Sequence, residues 1–327
     1  MNTTFSDLTP DLVLDLTEAV LGERCAAHCR ALNSYINRVY EITTDQSTVC
    51  IAKFYRPGRW SETALLDEHE FMRELQESDV PVVAPLANRD GRTLHRYDEM
   101  FYTVFPKQGG RVCDEPSEDQ WRQLGRLIAR THLVGAQHPP EDRITLRPDI
   151  STARQLEKIL QTELIPPDLA RRYEKTVRSM IRQTEPLFDD TPMIRIHGDC
   201  HYQNIIDRLD QSFRIIDFDD MAVGPPVQDV WMLLPGRLQN SIREIDLFLE
   251  GYETFREFEL VSLRLIEPLR AMRYVHYTCW CALQAADGGF ARLAPDWGSH
   301  SYWQQEIREM EKQLIEIEDA QCETLPF

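Results

Sequence analysis

The sequence is short of basic charge and of long apolar runs. Its 36 Lys and Arg stand against 54 Asp and Glu, a formal net charge of −18 at pH 7. Nucleic acid and anionic lipid both want basic surfaces, so general affinity for either is excluded, and the plainer consequence of the acidity is solubility. No stretch reaches the ~18 apolar residues of a membrane span. Met1 to Pro10 has no basic region followed by an apolar stretch, so no signal peptide is expected and the cytoplasm is the default location. Among the eight cysteines, Cys25 and Cys29 are four apart and Cys279 and Cys281 two apart. Neither is a CxxC pair, and no second pair sits at zinc-ribbon spacing. Reduced, mostly buried thiols are therefore expected, not a disulfide framework. Internal repeats and low-complexity tracts are also missing.

What is present suits a soluble globular chain of two lobes: 327 residues, 42% apolar and 28% charged. The first hundred residues read as β-rich with one helix. Arg38–Thr43 and Thr48–Phe54 are strand-like, with Asp45-Gln46-Ser47 turning between them. Glu62–Glu77 reads as an amphipathic helix with Leu65, Leu66, Phe71, Met72 and Leu75 on or near one face. Phe101–Phe105 reads as a buried strand, ended by Pro106 and the flexible Gly109-Gly110. Beyond it helices dominate: Glu118–Val134, then the segments around 168–183, 241–258, 260–283 and 302–319. Two short strand-like pieces, Met193–Ile196 and Phe213–Ile216, interrupt them. The composition shift predicts an N-lobe over 1–106 that covers a nucleotide and a hinge over 107–112. A helical C-lobe over 113–327 would carry the catalytic loop and a substrate groove.

Three patterns carry chemistry. His197-Gly198-Asp199-Cys200-His201-Tyr202-Gln203-Asn204 reads HxD, four residues, then Asn. This is the spacing of a kinase catalytic loop, in which one turn presents Asp199 to an attacking hydroxyl and Asn204 to a phosphate-bridging metal ion. Thirteen residues after Asn204, the apolar strand Ile215-Ile216 ends in Asp217, placed to carry a carboxylate toward Mg²⁺. Val49-Cys50-Ile51-Ala52-Lys53 alternates so that Val49, Ile51 and Lys53 share a face. Lys53 would pair with phosphates and with a glutamate of the next helix, Glu68 or, one helical phase away, Glu70. Ile51 could pack against adenine, and Phe105, at the end of the aromatic strand, joins it as a nucleotide-binding candidate. Alone, each pattern has a bland reading: a core histidine, a strand-end cap, a lysine that snorkels to solvent. In this order and on these elements they point together to ATP- and Mg²⁺-dependent phosphoryl transfer. The glycine-rich loop that would cradle the phosphates is missing. In its place Leu32–Arg38 offers Ser34 as the group to cap a phosphate oxygen, with Asn33 and Asn37 behind it. The plain alternative is a polar hairpin turn.

HGDCHYQN and IIDFDD resemble the loop and metal-binding strand of the aminoglycoside phosphotransferase and choline kinase-like superfamily. Asp67–Leu75, followed by Asp79-Val80-Pro81-Val82, resembles its helix and V-P-V turn, which places the ion-pairing glutamate at Glu68. A closer resemblance is to the bacterial stress response kinase A family. It rests on LNSYINRVYEI (32–42), KFYRPGRW (53–60), VFPKQGGR (104–111), HGDCH (197–201), GPPVQDVWMLL (224–234) and IEPLRAMR (266–273). The resemblance implies an α+β, bilobal protein-kinase-like fold with a small β-rich N-lobe and a large helical C-lobe. It also implies a cytoplasmic, monomeric Ser/Thr protein kinase tied to stress responses. Asp199 would be the proton acceptor, Asn204 and Asp217 the Mg²⁺ ligands, Ser34 part of the ATP site, and Asp229 a brace for the catalytic loop. Asp219 stands where protein kinases have the glycine of D-F-G, and only nine residues separate it from Asp229, too few for a long activation loop. Protein acceptors with Ser or Thr, the chain itself among them, are the expected partners. A small-molecule kinase acting on an amino alcohol, sugar or aminoglycoside uses the same motifs and remains open. A pseudokinase scaffold is the third reading, against which the complete set of Lys53, Asp199, Asn204 and Asp217 argues.

Overall fold

The computed structural model describes residues 5–34, 36–208, 212–285, Phe290 and 294–322. Packing divides the chain into two compact units. One comprises Met1–Arg143, His197–Met221 and Leu247–Arg256, the other Ile144–Ile196, Ala222–Asp246 and Glu257–Phe327.

The first unit is built on an antiparallel sheet of β1 (Cys25–Ala31), β2 (Arg38–Thr44), β3 (Val49–Phe54), β4 (His95–Tyr97) and β5 (Met100–Pro106), in the order β1-β2-β3-β5-β4. Strand alternation sorts β3 into two faces. Cys50, Ala52 and Phe54 join a core with Ile42, Tyr102 and Val104. Val13 and Val20 of a helix α1 (Pro10–Leu21) close that core. The other face carries Val49, Ile51 and Lys53, as the alternation predicts. Helix α1 and strand β1 were not foreseen. For α1 the signals are there: Thr9 caps Leu12 N, Pro10 opens the first turn, and Gly22 closes the helix in the left-handed region. Strand β1, Cys-Ala-Ala-His-Cys-Arg-Ala, is an edge strand with little β-branched content, so its residues announce nothing.

Helix α2 (Glu62–Glu77) keeps the expected bounds. Ser61 caps Ala64 N, and Leu65, Phe71, Met72 and Leu75 are buried. Leu66, read as part of that face, is instead 46% exposed, because it lies one residue off the stripe. After α2 the V-P-V turn docks on a second small sheet formed by β6 (Arg111–Val112), β8 (Ile205–Asp207) and β9 (Phe213–Ile215). Ile215 N donates to Pro81 O at 3.1 Å and Val83 N to Ile215 O at 3.2 Å. Helix α3 (Glu118–Gly135) buries Trp121, Leu124, Leu127 and Ile128 behind the capping box Ser117–Gln120.

The second unit is mainly helical: α4 (Ala153–Gln161), α5 (Pro167–Thr184), a short α6 (Val227–Trp231), α8 (Ile266–Gln284) and α9 (His300–Cys322), with α7 (Ile242–Tyr252) running into residues of the first unit. Its two-stranded ribbon pairs β7 (Ile194–Ile196) with β10 (Ala222–Gly224). Asp229, on α6, is fully buried. Helix α4 was not anticipated. The segment 260–283 opens with a 3₁₀ stretch, Leu260–Leu265, before α8 begins. All eight cysteines are free thiols. Among the described residues, no helix is long and apolar enough to cross a membrane.

Helices α3 and α7 meet backbone to backbone at two glycines. A Cβ on Gly125 would lie 2.0 Å from Phe248 O, and one on Gly251 would lie 2.0 Å from Arg122 O. Gly125→Ala should therefore destabilise the protein by about 1–3 kcal/mol or more through overpacking. Gly109→Ala, where a Cβ meets nothing within 4 Å, should stay within about 0.5 kcal/mol. Urea denaturation of both variants checks this, and equal midpoints would contradict the close helix contact.

Candidate active site

Lys53, Glu68, Asp199, Asn204 and Asp217 all belong to the first unit. The catalytic-loop segment is fixed from within. Gly198 has φ +84°, a backbone conformation that side chains resist, so a glycine is needed between His197 and Asp199. Asp199 N donates to His197 Nδ1 at 3.3 Å, and His197 Nε2 lies 2.9 Å from Ile216 O. With Nδ1 accepting, His197 is the neutral Nε2–H tautomer and donates to that carbonyl. Its buried ring leans on Phe218, centroids 4.6 Å apart, and Phe218 meets Phe71 of α2 edge-on at 5.7 Å. Asn204 spends its amide N–H on Asp199 O at 2.9 Å, which leaves the amide oxygen as the atom suited to a metal. Ile216 N donates to Asn204 O at 3.0 Å. Ile216 is thus held on both of its peptide groups by the loop that carries Asp199 and Asn204.

One residue later comes Asp217, in the left-handed region at φ 61° and ψ 66°. An aspartate tolerates this at a modest cost, on the order of 1–2 kcal/mol. The turn projects the carboxylate outward, its side chain 52% exposed. Asp199 is 22% exposed, and His201 Nε2 sits 3.2 Å from its Oδ2.

Lys53 is 7% exposed. Its ammonium lies 2.8 Å from Asp217 Oδ1 and 3.4 Å from Asp219 Oδ1. Burial alone would push this ammonium toward neutrality, but Asp217, Asp219 and Glu68 together hold its pKa well above the usual lysine value. The expected Lys53–Glu68 ion pair takes a different form here. Glu68 faces inward and is fully buried, but its carboxylate is 2.9 Å from Arg143 Nη2, and Tyr55 OH donates to it at 3.4 Å. Burial raises its pKa, opposed by Lys53 and Arg143. Glu70 points outward and pairs with Arg73.

Ile51 and Phe105 face each other across β3 and β5, both half-buried, beside the Lys53–Thr103 pair on the same sheet face. Ser34 is half-buried, and its backbone carbonyl accepts from Arg38 Nη1 at 3.5 Å; Asn33 is exposed. Tyr35 lies outside the described residues. Asn37 does not back up Ser34. It is buried, accepts from Arg56 N at 3.2 Å and donates to Asp219 Oδ2 at 3.3 Å.

Two arginines escaped the sequence reading. The Arg143 side chain is wholly buried and ties α2 to the turn after Asp217, donating to Ala64 O at 2.7 Å, to Asp219 O at 2.7 Å and to Glu68. Arg59 forks between Asp219 Oδ2 and Asp220 Oδ1. Both guanidinium groups lie over the Trp60 ring, at 4.5 Å and 5.4 Å from its centroid. Arg59 sits in the KFYRPGRW stretch, where its pattern could have been noticed. Arg143 follows a turn with no motif, and only the fold brings it to Glu68. The result is a cluster of three cations, Lys53, Arg59 and Arg143, against four carboxylates, Glu68, Asp217, Asp219 and Asp220. Although burial would raise its pKa, Asp219 is held well below the usual carboxylate range by Arg59, Lys53 and Arg143. Such a site can bind an anion through Lys53, a hard cation through Asp217 and Asn204, and accept a proton at Asp199.

A family profile described as "Phosphotransferase enzyme family" matches residues 28–266. The chain is 34% identical over 326 residues to the stress response kinase A of Escherichia coli strain K12, covering 99% of this chain and 98% of that one. It is 35% identical over 330 residues to the serine/threonine protein kinase RdoA of Salmonella typhimurium strain LT2, with the same coverage of 99% and 98%. Among solved structures, an amicoumacin kinase in complex with AMP-PNP, Ca²⁺ and Ami matches with a TM-score of 0.73 at 19% identity. The match covers 91% of this chain and 93% of that one. At that identity the likeness speaks for the α+β, protein-kinase-like fold alone.

The buried network also carries a pH signature. Tyr55 OH lies 3.0 Å from His69 Nε2, and His69 Nδ1 is 2.8 Å from Thr93 Oγ1. Burial, then the charges of Lys53 and Arg143, push the His69 pKa down to about 3. Between pH ~6.5 and that value the unfolded chain binds a proton here and the folded chain does not. This contribution to stability is therefore complete above pH ~6.5 and is lost as the pH falls. From pH 7 to pH 5 the wild type should lose about 2 kcal/mol more stability than His69→Gln. Parallel denaturation profiles for the two proteins would contradict the assignment.

Proposed function

The chain belongs to the phosphotransferase enzyme family, and on that premise we propose that it is a serine/threonine protein kinase using ATP and Mg²⁺, acting in a bacterial stress response. The observation that carries the proposal is the joining of Lys53, Asp217, Asn204 and Asp199 in one unit by an ion pair of 2.8 Å and two hydrogen bonds through Ile216. A pseudokinase scaffold would have no need of the complete set.

The donor set fits the metal. Asp217, through its projecting carboxylate, and Asn204, through its amide oxygen, are the hard oxygen donors that would hold Mg²⁺. Among the described residues no three His, Cys, Asp or Glu side chains form a closed metal cage, which agrees with a site that relies on the nucleotide. When bound, the ion supplies charge neutralisation across the phosphates. Lys53 provides a positive charge for the phosphate oxygens, and Ile51 with Phe105 provides an apolar surface for the base. Asp199 orients the acceptor hydroxyl and takes its proton as the oxygen attacks the terminal phosphorus, whose bond to the bridging oxygen breaks to release ADP. His201 and the Asn204 amide hold the loop so that this carboxylate keeps its direction.

For the acceptor, the full-length likeness to named stress response and serine/threonine protein kinases supports a protein with Ser or Thr, the chain itself included. The net charge of −18 would steer a Lys- or Arg-bearing segment. We place this activity in the cytoplasm, on a monomer. The second reading, a small-molecule kinase, draws on the fold likeness to an amicoumacin kinase.

Transfer from γ-labelled ATP to a basic protein, to the chain itself and to a panel of small alcohols tests the proposal. Label should appear on Ser or Thr, weaken as salt rises, disappear with EDTA, and fall by about 10²–10⁴-fold in Asp199→Asn. One small alcohol turned over at about 10⁴ M⁻¹s⁻¹ or above, with Ser and Thr unlabelled, would replace the protein-kinase reading by the second.

A further inference from the structure

Lys53 has two carboxylates in reach, and the proposed reaction requires it to leave both for phosphate. Asp217 is the simpler case, since a metal ion on its carboxylate would take over the neutralising of that charge. Asp219 is harder. It is buried at 4% exposure, so its charge needs a counterion that stays. The structure supplies one. Arg59 contacts Asp219 Oδ2 and reaches Asp220 Oδ1 at 2.6 Å with its other arm. Asn37 donates to the same Oδ2 at 3.3 Å, and Arg143 holds the Asp219 backbone carbonyl at 2.7 Å. Lys53 meets only Oδ1, and at 3.4 Å that contact is longer than its 2.8 Å bond to Asp217.

We propose that Arg59 is a positioning residue that neutralises Asp219 and so releases Lys53 for the nucleotide phosphates. Arg59 itself touches no reacting atom. Its guanidinium forks across two adjacent carboxylates and rests over Trp60, a geometry a planar, permanently charged group can hold. Arg143 cannot take its place, because its own charge is engaged with Glu68 at 2.9 Å. Without Arg59 the ammonium of Lys53 becomes the nearest counterion for a buried carboxylate, and binding phosphate would then leave that carboxylate uncompensated. Asp219 is accordingly a structural anion, whereas Asp217 is the one that turns outward.

The inference rests on the nucleotide reading above, and calorimetric binding of MgATP separates the two. Wild-type chain should bind MgATP. Arg59→Met should bind it roughly tenfold or more weakly, the scale of removing one partly buried opposite charge. Arg59→Met/Asp219→Asn should recover affinity to within about threefold of wild type, since the charge that holds Lys53 is gone. Asp219→Asn alone should keep wild-type affinity, which also serves if Arg59→Met does not fold. A wild type that binds no MgATP overturns both readings. Binding by the wild type with unchanged affinity in Arg59→Met, no recovery in the double variant, or loss of binding in Asp219→Asn overturns this one alone.

Discussion

A lysine ammonium on a central strand cannot be buried without anions, and the site is organised around meeting that need for Lys53. Strand alternation sends the side chain to the face opposite the core, where solvent would otherwise solvate it. Asp217 at 2.8 Å and Asp219 at 3.4 Å take the place of that solvent. Those two anions come from a turn 164 residues further along the chain. The ion pair therefore requires the β-sheet and the segment after β9 to be folded together. The Ile215 hydrogen bonds to the V-P-V turn, and the packing of Phe218 between the tilted His197 ring and the edge-on Phe71 ring, tie that junction together.

The ion pair also explains why a second layer of charge surrounds it. Two adjacent acidic positions beyond Asp217 and a buried Glu68 would repel one another in a low-dielectric interior. Arg59 and Arg143, with Trp60 beneath both, resolve the conflict by dividing the carboxylates between them. Asp217 remains the one carboxylate of the four that is half-exposed at 52%, on a left-handed turn that aims it outward. Burial thus separates anions that hold the fold from the anion available to a cation.

Much of this was legible in the residues, and the limits have physical causes. Helix α2 was read to its observed bounds because its apolar residues recur at helical spacing and Val80-Pro81 follows its end. The catalytic loop and the strand end at Asp217 were legible because they are local: their spacing is the geometry. Lys53 was found by alternation on a single strand, but its partner was expected to be Glu68 or Glu70, and the ion pair with Asp217 was not foreseen. The partner of Glu68 was not legible. Helical phase distinguishes an inward Glu68 from an outward Glu70, yet Arg143 lies 75 residues away in a loop without a motif. Asn37 looked like part of a phosphate-binding turn, since its role on Asp219 spans 182 residues. Helix α1 was overlooked although Thr9, Pro10 and Gly22 mark both of its ends. Local order is written in spacing and capping; buried charge pairs between distant segments are written only in the fold.

The central claim is that Asp217 and Asn204 hold a divalent cation with the nucleotide while Lys53 moves from carboxylate to phosphate. Anomalous diffraction from crystals grown with AMP-PNP and Mn²⁺ tests it directly. A manganese peak should lie within bonding distance of an Asp217 carboxylate oxygen and the Asn204 amide oxygen, with Lys53 Nζ moved off Asp217 and onto the phosphates. Bound nucleotide with the metal elsewhere, and the Lys53–Asp217 pair still closed, would contradict it.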